Sequence, residues 1–228
     1  MDLYELKREQ QKLASKIILE DGFEAIDAIK TIGGAECVQV VDSKPENGQL
    51  ADKANKTDKI LAAVVVCEFP SLKLKEYKTY LLDNPLPYKP GFQAYREMPA
   101  IIEAYNLLEE EPDILLVAAS GIAHPRKIGM ASHLGLALNE PTIGVTERLL
   151  TGIVEEGKVL LGGEVVGFEL KTKEFAKPVY VSPGHLISPQ TALNIVQKTI
   201  IYPHKMPEPL HIAHKIARKI ARKKDVLR

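Results

Sequence analysis

PDILLVAASGIAHPRKIGMASHLGLALNEPTIGVTERLLT, residues 112 to 151, decides the fold. A Pro-Asp turn opens an apolar run from Ile114 to Ala119, too short for a free helix and therefore a buried strand. The loop Ser120 to Arg126 follows, and a helix starts near Gly129 and ends at Asn139, where Glu140 and Pro141 stop it. Thr142 to Val145 is a second short strand. In an open sheet a strand, helix, strand unit carries its function outside the carboxyl ends of the strands. The SGIAHPR loop and the TERL segment are therefore expected side by side at one rim.

Working outward, Ala35 to Val41, Lys59 to Phe69 and Leu72 to Leu82 read as three strands of an antiparallel meander, with Pro70-Ser71 as a turn. Residues 2 to about 30 lack proline and favour one or two helices broken near Asp21-Gly22. DNPLPYKPG, residues 83 to 91, holds three prolines around one tyrosine and forms a stiff loop, because proline fixes its own φ and restricts the residue before it. A helix from about Phe92 to Glu109 follows. Thr151 to Gly163 reads as a glycine-bearing loop, Glu164 to Lys171 and Val179 to Val181 as strands, and Ser182 to His185 as a turn. Helices over about Pro189 to Thr199 and Glu208 to Lys224 close the chain. This order implies an α/β protein, a three-layer α/β/α arrangement with a mixed central sheet. With 228 residues, 45% of them hydrophobic, the chain is expected to form a single domain.

The N-terminus is charged from Asp2, and no apolar run approaches the roughly 20 residues a bilayer requires, so the chain is expected to be cytoplasmic with no membrane partner. Cys37 and Cys67 sit in apolar runs and are read as reduced. The formal net charge is zero, yet from His211 onward seven Lys and Arg face the single acid Asp225. That tail suits either a solvated helix face or contact with phosphate.

The central stretch resembles the endonuclease V family through GIAHPRKIGMASHLG followed by PTIGV. Four further blocks carry the same resemblance in order: IGGAE at 32 to 36, PLPYKPGFQAYREMP at 85 to 99, FELKTKEFAKPVYVSPGH at 168 to 185, and PEPLHIAH at 207 to 214. The resemblance implies a ribonuclease H-like fold and a protein that recognises inosine or another deaminated base in DNA or RNA; the chain is expected to be a monomer. It also implies hydrolysis of a phosphodiester 3′ to that base with Mg²⁺ or Mn²⁺. Carboxylate-held hard cations supply the nucleophile and neutralise the phosphate in such chemistry.

The metal and catalytic positions that the resemblance implies are Glu36 on the first strand, Glu97 on the helix after the proline loop, and His214 on the last helix. Glu36 stands where the family has aspartate, Ala118 where it has a second aspartate, and Glu147 where it has a lysine. Asp113 lies five residues back, roughly 16 Å along a strand, and cannot replace the missing acid. Two readings stay open: the site is lost and the chain is a non-catalytic binding or partner protein, or the carboxylate has moved from residue 118 to a catalytic Glu147 on the adjacent strand. For substrate binding, the resemblance makes Pro87, Tyr88 and Gly91 a wedge and Gly121 and Ile122 the backbone of a base pocket, while His124 and Arg126, by their place on the rim loop, are read as contacts to the ligand or phosphate.

Overall fold

The computed structural model describes residues 2–40 and 58–222. One nine-stranded sheet, in the order β3-β2-β1-β4-β5-β9-β8-β7-β6, runs through them. The meander is present: β1 (Thr31–Val40), β2 (Lys59–Glu68) and β3 (Leu74–Asp83) pair antiparallel. Beside it β4 (Ile114–Val117) lies parallel to β1, and β5 (Thr142–Thr146) parallel to β4, so three strands end at one rim.

Alternation along the strands sorts the core into two layers. Ile32, Ala63, Val65, Ile114, Leu116, Ile143 and Val145 pack on one face with α4 (Pro189–Lys198) and α5 (Glu208–Ala221). Ala35, Ala62, Val64, Leu115 and Val117 pack on the other with α2 (Gln93–Asn106) and α3 (Met130–Leu138). A strand covered on both faces has no polar side, which is why 61 to 67 and 114 to 117 are unbroken apolar runs.

Three expectations are corrected. The N-terminal segment forms one helix, α1 (Leu3–Ala14), and then an irregular strap with a single 3-10 turn at Ile26–Ala28. Tertiary partners take the strap's backbone: Gly22 N–H donates to the Leu186 carbonyl and Ile18 accepts from Leu186 N–H. Asp21 accepts from the Ser188 N–H and the Thr191 hydroxyl at the start of α4. Residues 151 to 163 are not a loop but the short strands β6 (Ile153–Glu155) and β7 (Lys158–Leu161), joined to each other and to β8 (Glu164–Leu170) by two-residue turns. Glu156-Gly157 and Gly162-Gly163 all have positive φ, the backbone that tight hairpins demand. Residues 182 to 185 likewise continue β9 (Val179–His185), where Ser182 and Pro183 pair with Gly144 and Ile143.

The docking of α5 depends on Gly34. A Cβ there would stand 2.4 Å from Pro209 C and 2.5 Å from its carbonyl oxygen, so only glycine lets the first turn of α5 rest on β1. Gly34→Ala is expected to destabilise the protein by about 1–3 kcal/mol, because the obstruction is backbone and cannot swing aside. Urea unfolding measures this, and an unchanged midpoint would contradict the packing.

Candidate nucleic-acid groove and hydrolytic site

Glu36 projects from β1 toward the face that α5 covers, two residues beyond Gly34 and therefore on the same side of the strand. His214 on α5 meets it there, with Nδ1 2.5 Å from Glu36 Oε1. Burial pushes the Glu36 carboxyl up from its ordinary range, and the His214 imidazole opposes that rise. Ala118, just past β4, and Glu147, just past β5, complete the strand-end row with Glu36, and all line one cleft of about 560 Å³. Arg148, Lys205 and Met206 from loops, and Leu210, His211 and His214 from α5, form the facing wall.

Residues 118 and 147 thus sit at adjacent strand ends as expected, but the Glu147 carboxylate is held by Lys205 Nζ at 2.9 Å. Glu97 stands on the other side of β1. Its carboxyl accepts from Gln93 Nε2 at 2.9 Å, and burial raises its pKa, with Gln93 and Arg96 pulling the other way. It lines a smaller hollow with Cys37, Val38, Gln39, Tyr88 and Arg96. Glu36, Glu97, His214 and Glu147 therefore border one rim without converging on one point. Among the described residues no three His, Cys, Asp or Glu side chains are placed to hold a metal ion.

A hard divalent cation takes six or more oxygen ligands, several of them carboxylate in protein sites. Here Ala118 offers no donor, Glu36 is occupied by His214, and Glu147 is occupied by Lys205. The side chains present do not fit Mg²⁺ or Mn²⁺, although the carboxylate and imidazole pair of Glu36 and His214 remains at the strand end.

The tyrosine loop is held at both ends. Buried Arg96 donates from Nη1 to the Leu86 carbonyl and from Nη2 to Asp58. At the other end the Gly91 carbonyl accepts from Gln10 Nε2 at 3.1 Å, His124 Nε2 at 3.2 Å and Arg126 Nη2 at 2.6 Å. His124 Nδ1 accepts the Arg126 N–H, which places the ring proton on Nε2. Arg126 also donates to Gln10 Oε1 and covers the Phe92 ring at 4.6 Å. Pro87 and Tyr88 are left on the outside, with Tyr88 62% exposed.

The structure thus gives His124 and Arg126 internal work, as anchors of the tyrosine loop. Gly121 and Ile122 are also turned inward. Ser182 Oγ accepts the N–H groups of Gly121 and Ala123, the Pro183 carbonyl accepts that of Ile122, and the Ile122 side chain packs with Val159 and Val166. A hollow beside them is lined instead by Tyr88, Gly91, Gln93, Ser120, His124, Gly129 and Leu150. Leu149 packs against the cluster that holds Ile122 and Ala123, so the TERL segment lies beside the SGIAHPR loop as expected. Gln10 and Lys205 had no signal in the sequence, since Gln10 lies in a polar run and Lys205 in a proline-bounded loop, and only tertiary placement singles them out.

His124 has its pKa lowered to about 4, first by burial and then by Arg126. A histidine whose folded pKa is depressed stabilises the fold above its unfolded pKa of about 6.5, and that contribution is lost as pH falls toward 4. The loss is expected to reach about 3 kcal/mol. In urea unfolding His124→Gln is expected to start lower at pH 7 and to lose less stability between pH 6.5 and 4. Parallel pH profiles would contradict the neutral, buried ring.

The sequence matches the family model described as Endonuclease V over residues 11–215. Endonuclease V of Dictyoglomus turgidum is 36% identical over 213 residues, covering 90% of this chain and 85% of that protein. Endonuclease V of Bacillus subtilis superposes with a TM-score of 0.82 at 26% identity, over 96% of this chain and 92% of that one. Endonuclease V of Ciona intestinalis, solved with a 23mer DNA containing an inosine followed by a ribo-adenosine, superposes with a TM-score of 0.81 at 27% identity, over 96% of each chain. With its five sequence blocks, strand-end cleft and anchored tyrosine loop now in place, the chain belongs to the endonuclease V family.

Proposed function

We propose that this protein recognises inosine in nucleic acid, holding the strand along the rim formed by β1, β4 and β5. The observation that carries the reading is the doubly anchored loop that presents Tyr88 beside a hollow built from Gly91, Ser120, His124 and Gly129. An aromatic ring on a rigid support stacks on a base without an ordering cost, and small residues let a flipped base approach main-chain groups. The Ciona relative, in complex with inosine-containing DNA, supports assigning the ligand.

Hydrolysis 3′ to the base with Mg²⁺ or Mn²⁺ is the activity the family carries, and the family is generally metal-dependent. This chain meets that chemistry with a reduced donor set. Its own residues contribute a strand-end carboxylate, Glu36, paired to His214, with Lys205 and Arg148 as the cations nearest a bound phosphate. Restoring an acid at 118 and freeing the Lys205 contact at 147 supplies what is missing. We expect the Ala118→Asp, Glu147→Lys double variant to cleave an inosine oligonucleotide in Mn²⁺ roughly a hundredfold or more faster than the native chain. Cleavage by the native chain as fast as by the variant would show that the native donors suffice, and no cleavage by either would show that residues 118 and 147 are not what the site lacks.

Recognition has its own test. A single-stranded oligonucleotide with one inosine is expected to bind more tightly than its adenine counterpart, and Tyr88→Ala to weaken that binding by about 1–3 kcal/mol. Equal affinities for the two oligonucleotides at moderate salt would defeat the assignment.

A further inference from the structure

Phe175 is 95% exposed, whereas the other four phenylalanines, Phe23, Phe69, Phe92 and Phe168, are buried or half-buried. It caps the connection between β8 and β9 with φ +60, a left-handed conformation that an aromatic residue seldom adopts. It joins none of the three apolar clusters among the described residues. Exposed Lys171, Lys173 and Lys177 flank it against one acid, Glu174. A ring pushed into water on a strained turn between lysines contributes nothing to the core.

Its position relates it to the groove. Thr172 Oγ1 donates to the Lys205 carbonyl at 2.7 Å, tying this connection to the loop that places Lys205 in the strand-end cleft. That second loop carries another bare ring, Tyr202, 79% exposed. The hollows along the rim also run together. Tyr88 is shared by the hollow beside Gly91 and the one beside Glu97; Cys37, Val38 and Gln39 by the latter and a further hollow that Arg218 and Arg222 also line; and Glu36 and His214 by that further hollow and the main cleft. A run of adjoining hollows therefore leads from Tyr88, past Glu36, to Lys205, whose loop is tied by Thr172 to the connection that carries Phe175.

We propose that Phe175 is a second stacking platform for a single strand of nucleic acid, with Lys171, Lys173 and Lys177 on its phosphates, at the end of the groove opposite Tyr88. The inference rests on the reading of the groove as a nucleic-acid site but not on inosine. Stacking on an exposed ring tolerates any base, and lysine contacts to phosphate carry no sequence information. Phe175 accordingly contributes affinity and strand length, while Tyr88 and its hollow contribute selectivity.

The chain has no tryptophan, so Phe175→Trp introduces a single fluorophore at the tip of the connection. The probe is a labelled single-stranded DNA of about 20 nucleotides, long enough to span these hollows, with binding followed independently by anisotropy. Quenching of the tryptophan by the bound strand, with roughly tenfold weaker binding by Phe175→Ala, is the expected result. Changing Lys171, Lys173 and Lys177 together to glutamine should flatten the salt dependence. Unchanged emission from a strand that anisotropy shows to be bound would overturn the proposal. So would a blue shift with anionic phospholipid vesicles and no quenching by DNA, which would make the connection a membrane contact. Equal quenching by inosine and adenine strands of equal affinity would uphold Phe175 and remove the inosine assignment. Selective inosine binding without quenching would do the reverse, and no binding at all would remove both.

Discussion

The site depends on how closely α5 approaches β1, and that approach depends on Gly34. The first turn of α5 occupies the volume a side chain at 34 would need. Two residues along the same face, the strand presents Glu36, and a turn further along the helix His214 reaches it. A helix displaced by a methyl group would carry His214 and the cleft wall of Leu210 and His211 away with it. The glycine in IGGAE is thus a packing requirement with a direct consequence for the chemistry at the strand end.

Recognition and chemistry are built separately around that rim. The tyrosine loop is stiffened by proline, fixed at Leu86 by Arg96 and fixed at Gly91 by Gln10, His124 and Arg126. Its anchors hold the protein's own backbone and cost nothing further when a ligand arrives. The strand-end cleft is arranged differently. Burial drives the Glu36 carboxyl toward its protonated form, His214 resists, and the Glu147 carboxylate is paired with Lys205. Where a cation would need converging carboxylates, this cleft presents carboxylates already paired to His214 and Lys205, with Arg148 on its wall and Arg218 and Arg222 along the adjoining hollow. A net charge of zero conceals this, because composition records the sum of charges and the groove depends on their placement.

Much of the frame was legible from pattern alone. Apolar runs such as Leu61 to Val66 and Ile114 to Val117 could only be strands covered on both faces, and the Asn139-Glu140-Pro141 stop was sufficient to place α3 between β4 and β5. What pattern missed was set by tertiary partners. Ser182-Pro183-Gly184-His185 has turn composition, yet it stays extended because Ser182 Oγ and the Pro183 carbonyl take the N–H groups of Gly121, Ala123 and Ile122. Glu156-Gly157 was read as loop because only its backbone, not its composition, distinguishes a hairpin turn. At the site, Glu36 and His214 were legible through the family resemblance and do meet. His124 and Arg126 looked like ligand contacts because histidine and arginine on a rim loop present the same chemistry to a phosphate or to the Gly91 carbonyl. Gln10 and Lys205 were invisible, since nothing near them in sequence marks their long-range partners.

Separating recognition from cation chemistry makes the ligand's affinity independent of metal. The direct measurement is the affinity of the native chain for a single-stranded inosine oligonucleotide, first in EDTA and then in saturating Mn²⁺. Equal affinities in the two conditions, with inosine preferred over adenine in both, are the result this account predicts. Binding that appears only with Mn²⁺, and that is lost in Glu36→Gln, would show a working cation site at the strand ends and contradict it.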